Sequence, residues 1–315
     1  MPLFDARTLR DLCRGALLLA LTQPLLADDR CPPDSGVALQ VLGSGGPIAD
    51  DGRASSGYLV WVDDAARVMI DAGGGTFLRY GEAGARFADL DFVGISHFHT
   101  DHSADFPALL KSGSFTRRER PIGIAGPDGS ELFPGLHVWL DGLLDAADGA
   151  YGYLSGYLHG NGRLPKLDAV EVGREGVAAV FASDDDRIHI DAIHVPHGIV
   201  PALAFRVRAD GDTLVFAADQ NGTDPAFADF AADADLLVMH LVIPEDAGAT
   251  ARRLHALPSM IGRIARETNA RRLVLSHFMS RSLRDLNENV ALVEDAYDGP
   301  IVLAEDLLCI ALAKR

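Results

Sequence analysis

The chain has 315 residues, 48% of them hydrophobic, which supplies a core for one large α/β domain or two fused halves and excludes a disordered chain. Its 28 basic and 45 acidic residues leave a net charge of −17, a field that repels polyanions, so nucleic acid is not an expected partner. Arg117, Arg118 and Arg120 form the one basic cluster and read as a solvated loop.

The first residues read as an export leader. Arg7, Arg10 and Arg14 precede the apolar run 16–21 and a cleavage point follows Ala27, so residues 1–27 are expected to be removed. Residues 28–315 are then expected to form one mature domain in the periplasm or outside the cell. Gln23 and Pro24 break the apolar run well short of a membrane span, so no stable membrane association is expected. Cys13 leaves with the leader, and the remaining Cys31 and Cys309 permit one disulfide in an exported chain.

Polar residues around Pro32 and Pro33 lead into strands at 37–42, 57–62 and 67–70, with turns between them. The glycine run at 43–46 lacks the Lys-Ser/Thr of a phosphate loop and is read as a tight turn. A helix near 77–84, a buried strand at 92–95 and a helix from His102 carrying Phe106, Leu109 and Leu110 on one side come next, and further helices are expected within 130–157. The second half repeats the theme, with strands at 177–183, 188–194, 202–207, 213–218, 236–240, 273–275 and 306–312 among helices at 225–232 and 260–269. Two strand-rich halves, each flanked by helices, predict two packed mixed sheets with helices on the outer faces, an α/β fold.

His97, His99, Asp101 and His102 fall together directly after the strand at 92–95. Histidines two apart on extended backbone point the same way, and a following turn brings an aspartate and a third histidine back to a neighbouring position. Imidazole with carboxylate suits Zn²⁺, with Mn²⁺ or Fe²⁺ as competitors. The four residues match in full the His-x-His-x-Asp-His motif of the metallo-β-lactamase superfamily, which the chain resembles over most of its mature length. Segment 68–73 resembles the family's strand that ends in an aspartate, and 195–198 its next ligand segment. Segments 214–219 and 273–277 resemble the strands that deliver the bridging carboxylate and the last histidine.

The resemblance implies the αββα sandwich of that family and two zinc ions. One ion would be held by His97, His99 and His197, the other by Asp101, His102 and His277, with Asp219 bridging and Asp71 orienting a ligand from behind. Such a pair activates a shared water and polarises the bond under attack. His137, His159, His189 and His194 are expected to lie elsewhere.

Within the superfamily the chain is most similar to the ribonuclease Z and arylsulfatase-like branch, on segment 102–110, Gly126-Pro127 and segment 235–238. Two departures weaken tRNA processing. Only a short hairpin fits between His197 and Asp219, where that family carries a long tRNA-binding arm, and the family's His-Glu pair reads Met239-His240 here. With export and negative charge, these lead to an expected hydrolase of small phosphodiester or sulfate-ester substrates. A lactone or β-lactam hydrolase is the alternative, and a non-enzymatic binding protein the reading from another class. His255 is expected as general acid with His240 as its neighbour or a substrate contact, and Asp101 counts as catalytic as well as metal-holding. A homodimer is left open.

Overall fold

Strands β1 (Val37–Gly43) and β2 (Gly57–Val62) are buried along their whole length, so both of their faces need apolar partners. Val37, Leu39, Val41, Tyr58, Val60 and Val62 turn toward a second sheet, whereas Ala38, Leu42, Leu59 and Trp61 turn outward against helices. This period-two split sets the layers. The computed structural model describes residues 31, 36–160 and 163–312. The expected leader at 1–27 and Pro32-Pro33 lie outside the described residues.

The first sheet continues with β3 (Ala65–Ile70), β4 (Phe92–Gly94), β5 (Ile122–Pro127) and β6 (Leu167–Val172). The second holds β7 (Val177–Ala182), β8 (Ile188–His197), β9 (Val200–Ala209), β10 (Asp212–Phe216), β11 (Leu236–His240), β12 (Leu273–Ser276) and β13 (Ile301–Leu303), and β14 (Cys309–Ala311) returns to the first. The orders are β14-β1-β2-β3-β4-β5-β6 and β13-β12-β11-β10-β9-β8-β7. In each sheet an antiparallel meander gives way to parallel strands, from β3 to β6 in one and from β10 to β13 in the other. The two mixed sheets packed face to face are the expected architecture.

Helices α1 (Thr76–Glu82), α2 (Thr100–Ser103), α3 (Phe106–Gly113), α4 (Leu136–Leu144) and α5 (Gly156–His159) follow strands of the first sheet. Tyr80, Phe106, Leu109, Leu136 and Tyr157 cover its outer face. Helices α6 (Ala226–Phe230), α7 (Ala249–Arg252), α8 (Pro258–Glu267), α9 (Ser280–Leu283) and α10 (Leu286–Glu294) belong to the second half. There Phe227, Phe230, Ile261, Ile264 and Val293 extend the same buried cluster onto the helices of the second sheet, each fully buried apolar side chain contributing about 1.5–3 kcal/mol.

The segment between His197 and Asp219 is a plain β9–β10 hairpin, as expected. Cys31 and Cys309 form a disulfide, with Cα atoms 5.4 Å apart, that ties the start of the domain to β14. The strand expected at 306–312 is shorter than that, and a separate β13 precedes it in the other sheet. Arg118 does not lie in a solvated loop: only 5% exposed, it donates to the carbonyls of Ala88, Arg120 and Pro121. Among the described residues no helix is long and apolar enough to cross a membrane.

Candidate metal centre

The carboxyl-terminal ends of strands from both sheets meet at one edge of the sandwich, the usual place for a site in such sheets. Asp71 follows β3, the 96–102 segment follows β4, His197 ends β8, Asp219 follows β10, His240 ends β11 and His277 follows β12. Asp71, Ala218 and His277 adopt left-handed backbone, with φ of 60°, 54° and 56°. For Ala218 and His277 this costs about 1–2 kcal/mol each, while aspartate adopts it more readily, and such strain collects where geometry serves function. Gly73 admits the ligand loop, because a Cβ there would stand 2.1 Å from the carbonyl oxygen of Asp101.

Candidate donor atoms of His97, His99 and His197 lie within 4.8 Å of one another, and so do those of Asp101, His102 and His277. Asp219 stands between the sets, with Oδ2 3.6 Å from His197 Nε2 and Oδ1 3.5 Å from His277 Nε2. The sequence motif and the three strand-end candidates His197, Asp219 and His277 therefore converge. His97 Nε2 faces His99 Nδ1 at 3.0 Å, and His102 Nε2 faces His277 Nε2 at 3.1 Å. Two donors on one tetrahedral zinc stand about 3.3 Å apart, from bonds of about 2.0–2.1 Å. His197 donates through Nδ1 to the Leu254 carbonyl at 2.9 Å, while its buried Nε2 has no hydrogen-bond partner. An orphaned nitrogen, facing imidazoles and a carboxylate between the two sets fit divalent cations better than they fit any proton arrangement.

A second layer fixes these rings. Asp71 accepts from the Ser96 amide at 2.7 Å, from Ser96 Oγ at 2.9 Å and from His102 Nδ1 at 2.7 Å, which aims His102 Nε2 into the site. Burial disfavours a charged His102, but Asp71, Asp101 and Asp219 outweigh it and raise its pKa to about 9. Burial opposes the ionised Asp101 too, and the hydrogen bond from His277 with the nearby imidazoles lowers it to about 2. For His97, burial and then the neighbouring imidazoles outweigh the pull of Asp219 and hold it well below the usual histidine range.

An open pocket of about 470 Å³ covers the cluster, lined by His99, Asp101, His197, Asp219, His255 and His277 among others. His255 Nδ1 is 3.8 Å from Asp219 Oδ2, and burial pushes its pKa down to about 3. His240 does not reach this pocket. It lies behind Asp219, with Nδ1 2.7 Å from Oδ1 and Nε2 3.2 Å from the Tyr58 hydroxyl, so both nitrogens are engaged and the expected substrate contact is corrected. Sequence reading missed Tyr58, Ser96 and Arg281. Arg281 lines the pocket, anchored through Nε to the Val242 carbonyl at 3.0 Å. His189 and His194 lie away from the cluster, His194 bonding the Val172 carbonyl.

A metal-dependent hydrolase is the class that this fold and donor set define together. The sequence model of the family described as "Beta-lactamase superfamily domain" matches residues 66–278, and the chain belongs to that family. Its curated relatives place it in the ribonuclease Z branch. The protein named Ribonuclease Z of Haloferax volcanii is 27% identical over 299 residues, covering 84% of this chain and 92% of that one. Ribonuclease Z of Mycobacterium bovis is 30% identical over 213 residues, covering 66% and 71%. Human tRNase Z, short form, shares the fold at a TM-score of 0.66, with 20% identity and 87% and 98% of the chains covered.

These relatives overturn two expectations, a small phosphodiester or sulfate-ester substrate and the exclusion of nucleic acid. The physical fault lies in reading a net charge as a local field. The sum of −17 says nothing of the pocket mouth, where Arg281 lies and near which the exposed Arg252 and Arg253 precede Leu254 and His255.

Proposed function

We propose that this protein is a metal-dependent ribonuclease that hydrolyses a phosphodiester bond of RNA. The observation that carries the reading is two donor triads joined by Asp219 at the floor of a pocket that Arg281 lines. The name shared by relatives along most of the chain supports the RNA substrate. His97, His99 and His197 would hold one divalent cation, Asp101, His102 and His277 a second, and Asp219 both. The pair, when bound, supplies Lewis-acid activation of water and of the phosphoryl group.

The chain's own residues do the rest. The Arg281 guanidinium contacts a non-bridging phosphate oxygen and fixes the register of the backbone. His255, neutral at rest, takes a proton from the attacking water and returns it to the leaving oxygen. Asp71 and the Leu254 carbonyl keep the rings aimed while this happens.

Metal-loaded protein incubated with an end-labelled RNA should cleave it, chelator should stop cleavage, and zinc should restore it. An intact RNA under verified loading sinks the reading. We also propose, on the leader-like residues 1–27 and the Cys31–Cys309 bond, that the mature chain works in an oxidising compartment. Amino-terminal sequencing of protein from separated cell fractions tests this. An uncleaved chain confined to the cytosol would contradict it.

A further inference from the structure

Behind Asp219, four side chains form a buried line that crosses between the sheets. Asp219 Oδ1 lies 2.7 Å from His240 Nδ1, His240 Nε2 lies 3.2 Å from the Tyr58 hydroxyl, and that hydroxyl lies 2.9 Å from Ser276 Oγ. Tyr58 comes from β2 of the first sheet, the other three from the ends of β10, β11 and β12 in the second. Each is no more than 5% exposed, so water does not exchange freely with these bonds.

The proton positions follow from what each group can offer. An ionised carboxylate only accepts, so the proton between Asp219 and His240 sits on Nδ1. A neutral ring protonated there has Nε2 as an acceptor, and the Tyr58 hydroxyl must donate to it. Tyr58 has one proton, so Ser276 in turn donates to the Tyr58 oxygen. The reverse direction at Ser276 would leave two lone pairs facing each other at His240.

We propose that Tyr58 and His240 are positioning residues for the bridging carboxylate. Together they lock the Nδ1–H tautomer, and that donor turns Asp219 so that Oδ1 faces His277 and Oδ2 faces His197. Because Tyr58 belongs to the opposite sheet, the bridge between the metal positions is tied to the packing of the two sheets. The proposal rests on the reading of Asp219 as the shared ligand.

Tyr58→Phe keeps the ring beside Phe216, whose centroid is 5.5 Å away, and removes only the hydroxyl. Competition with a chromogenic chelator should show the second zinc bound about 10–100-fold more weakly, with the first changed far less. Nitrogen-15 NMR of labelled histidine should find His240 wholly as the Nδ1–H tautomer in the wild type and as a mixture in the variant. His240→Gln, whose amide can donate to Asp219 and accept from Tyr58, should restore more second-ion affinity than His240→Ala. Wild-type zinc affinities in Tyr58→Phe overturn the proposal, as does an Nε2–H tautomer in the wild type, a measurement that holds even if the variant folds poorly. A wild-type chain that takes only one ion fails at the earlier step, the shared ligand itself, and takes this inference down with it.

Discussion

Asp71 gives the sharpest test of how the ligand shell is held. It is 1% exposed and accepts three hydrogen bonds, from the Ser96 amide, Ser96 Oγ and His102 Nδ1. In Asp71→Ala these donors stay buried without an acceptor, at about 1–3 kcal/mol each. Alanine at φ 60° adds about 1–2 kcal/mol that aspartate and asparagine largely escape. The total, about 4–11 kcal/mol, is comparable to the whole stability of a typical domain, about 5–15 kcal/mol. Asp71→Asn separates folding from metal binding. Its oxygen still accepts from Ser96, but its amide cannot accept from His102, which must shift its proton to Nε2, the nitrogen that faces the site. We expect a stability loss of only about 1–3 kcal/mol with zinc affinity lower by about 10–100-fold. Urea titration of the metal-free chain and zinc competition measure the two effects. Wild-type zinc affinity in Asp71→Asn would refute the reasoning.

Three further outcomes follow from the same geometry. The Cys31–Cys309 bond closes a loop with a sequence separation of 278, so Cys309→Ser should lower unfolding stability by about 3–5 kcal/mol, and thiol titration of the denatured, unreduced mature chain should find neither cysteine free. Hydrogen bonds from Arg67 and Ser183 hold the Asp185 carboxyl below its usual range, so its contribution is present above the unfolded value of about 3.9 and is lost as pH falls through the lower folded value. Asp185→Asn should therefore cost a few tenths to about 1 kcal/mol near neutral pH, since this pair is solvent-screened, and the gap should vanish in strong acid; a gap that widens in acid would reverse the sign. His255→Ala should keep both ions yet lose about 10²–10⁴ in rate on a phosphodiester with a poor leaving group and much less with a nitrophenolate, whereas equal losses would point to damaged binding.

The ligand cluster was legible because its members are local signals. The 97–102 motif is contiguous, and Asp71, Asp219 and His277 each end an apolar strand. Tyr58 and Arg281 were not, since their partners are chosen by how the sheets pack. In Gly57–Val62 a tyrosine reads as one more core aromatic, and nothing local says that its hydroxyl will meet His240 across the sandwich. Strand β5 was obscured by Gly123, which weakens strand propensity but is required because a Cβ there would stand 2.7 Å from the Phe181 ring. Strand β6 was missed because Leu167–Val172 is largely exposed and carries no buried stripe. His240 was misplaced because a position in sequence says which strand delivers a ring, not on which side of Asp219 it lands.

Elemental analysis of the purified, zinc-saturated chain tests the central claim most directly. The account predicts two ions per chain, falling to one in Asp219→Ala, because Asp219 stands between both triads. A reproducible single ion in the wild type, unchanged by that substitution, would contradict it.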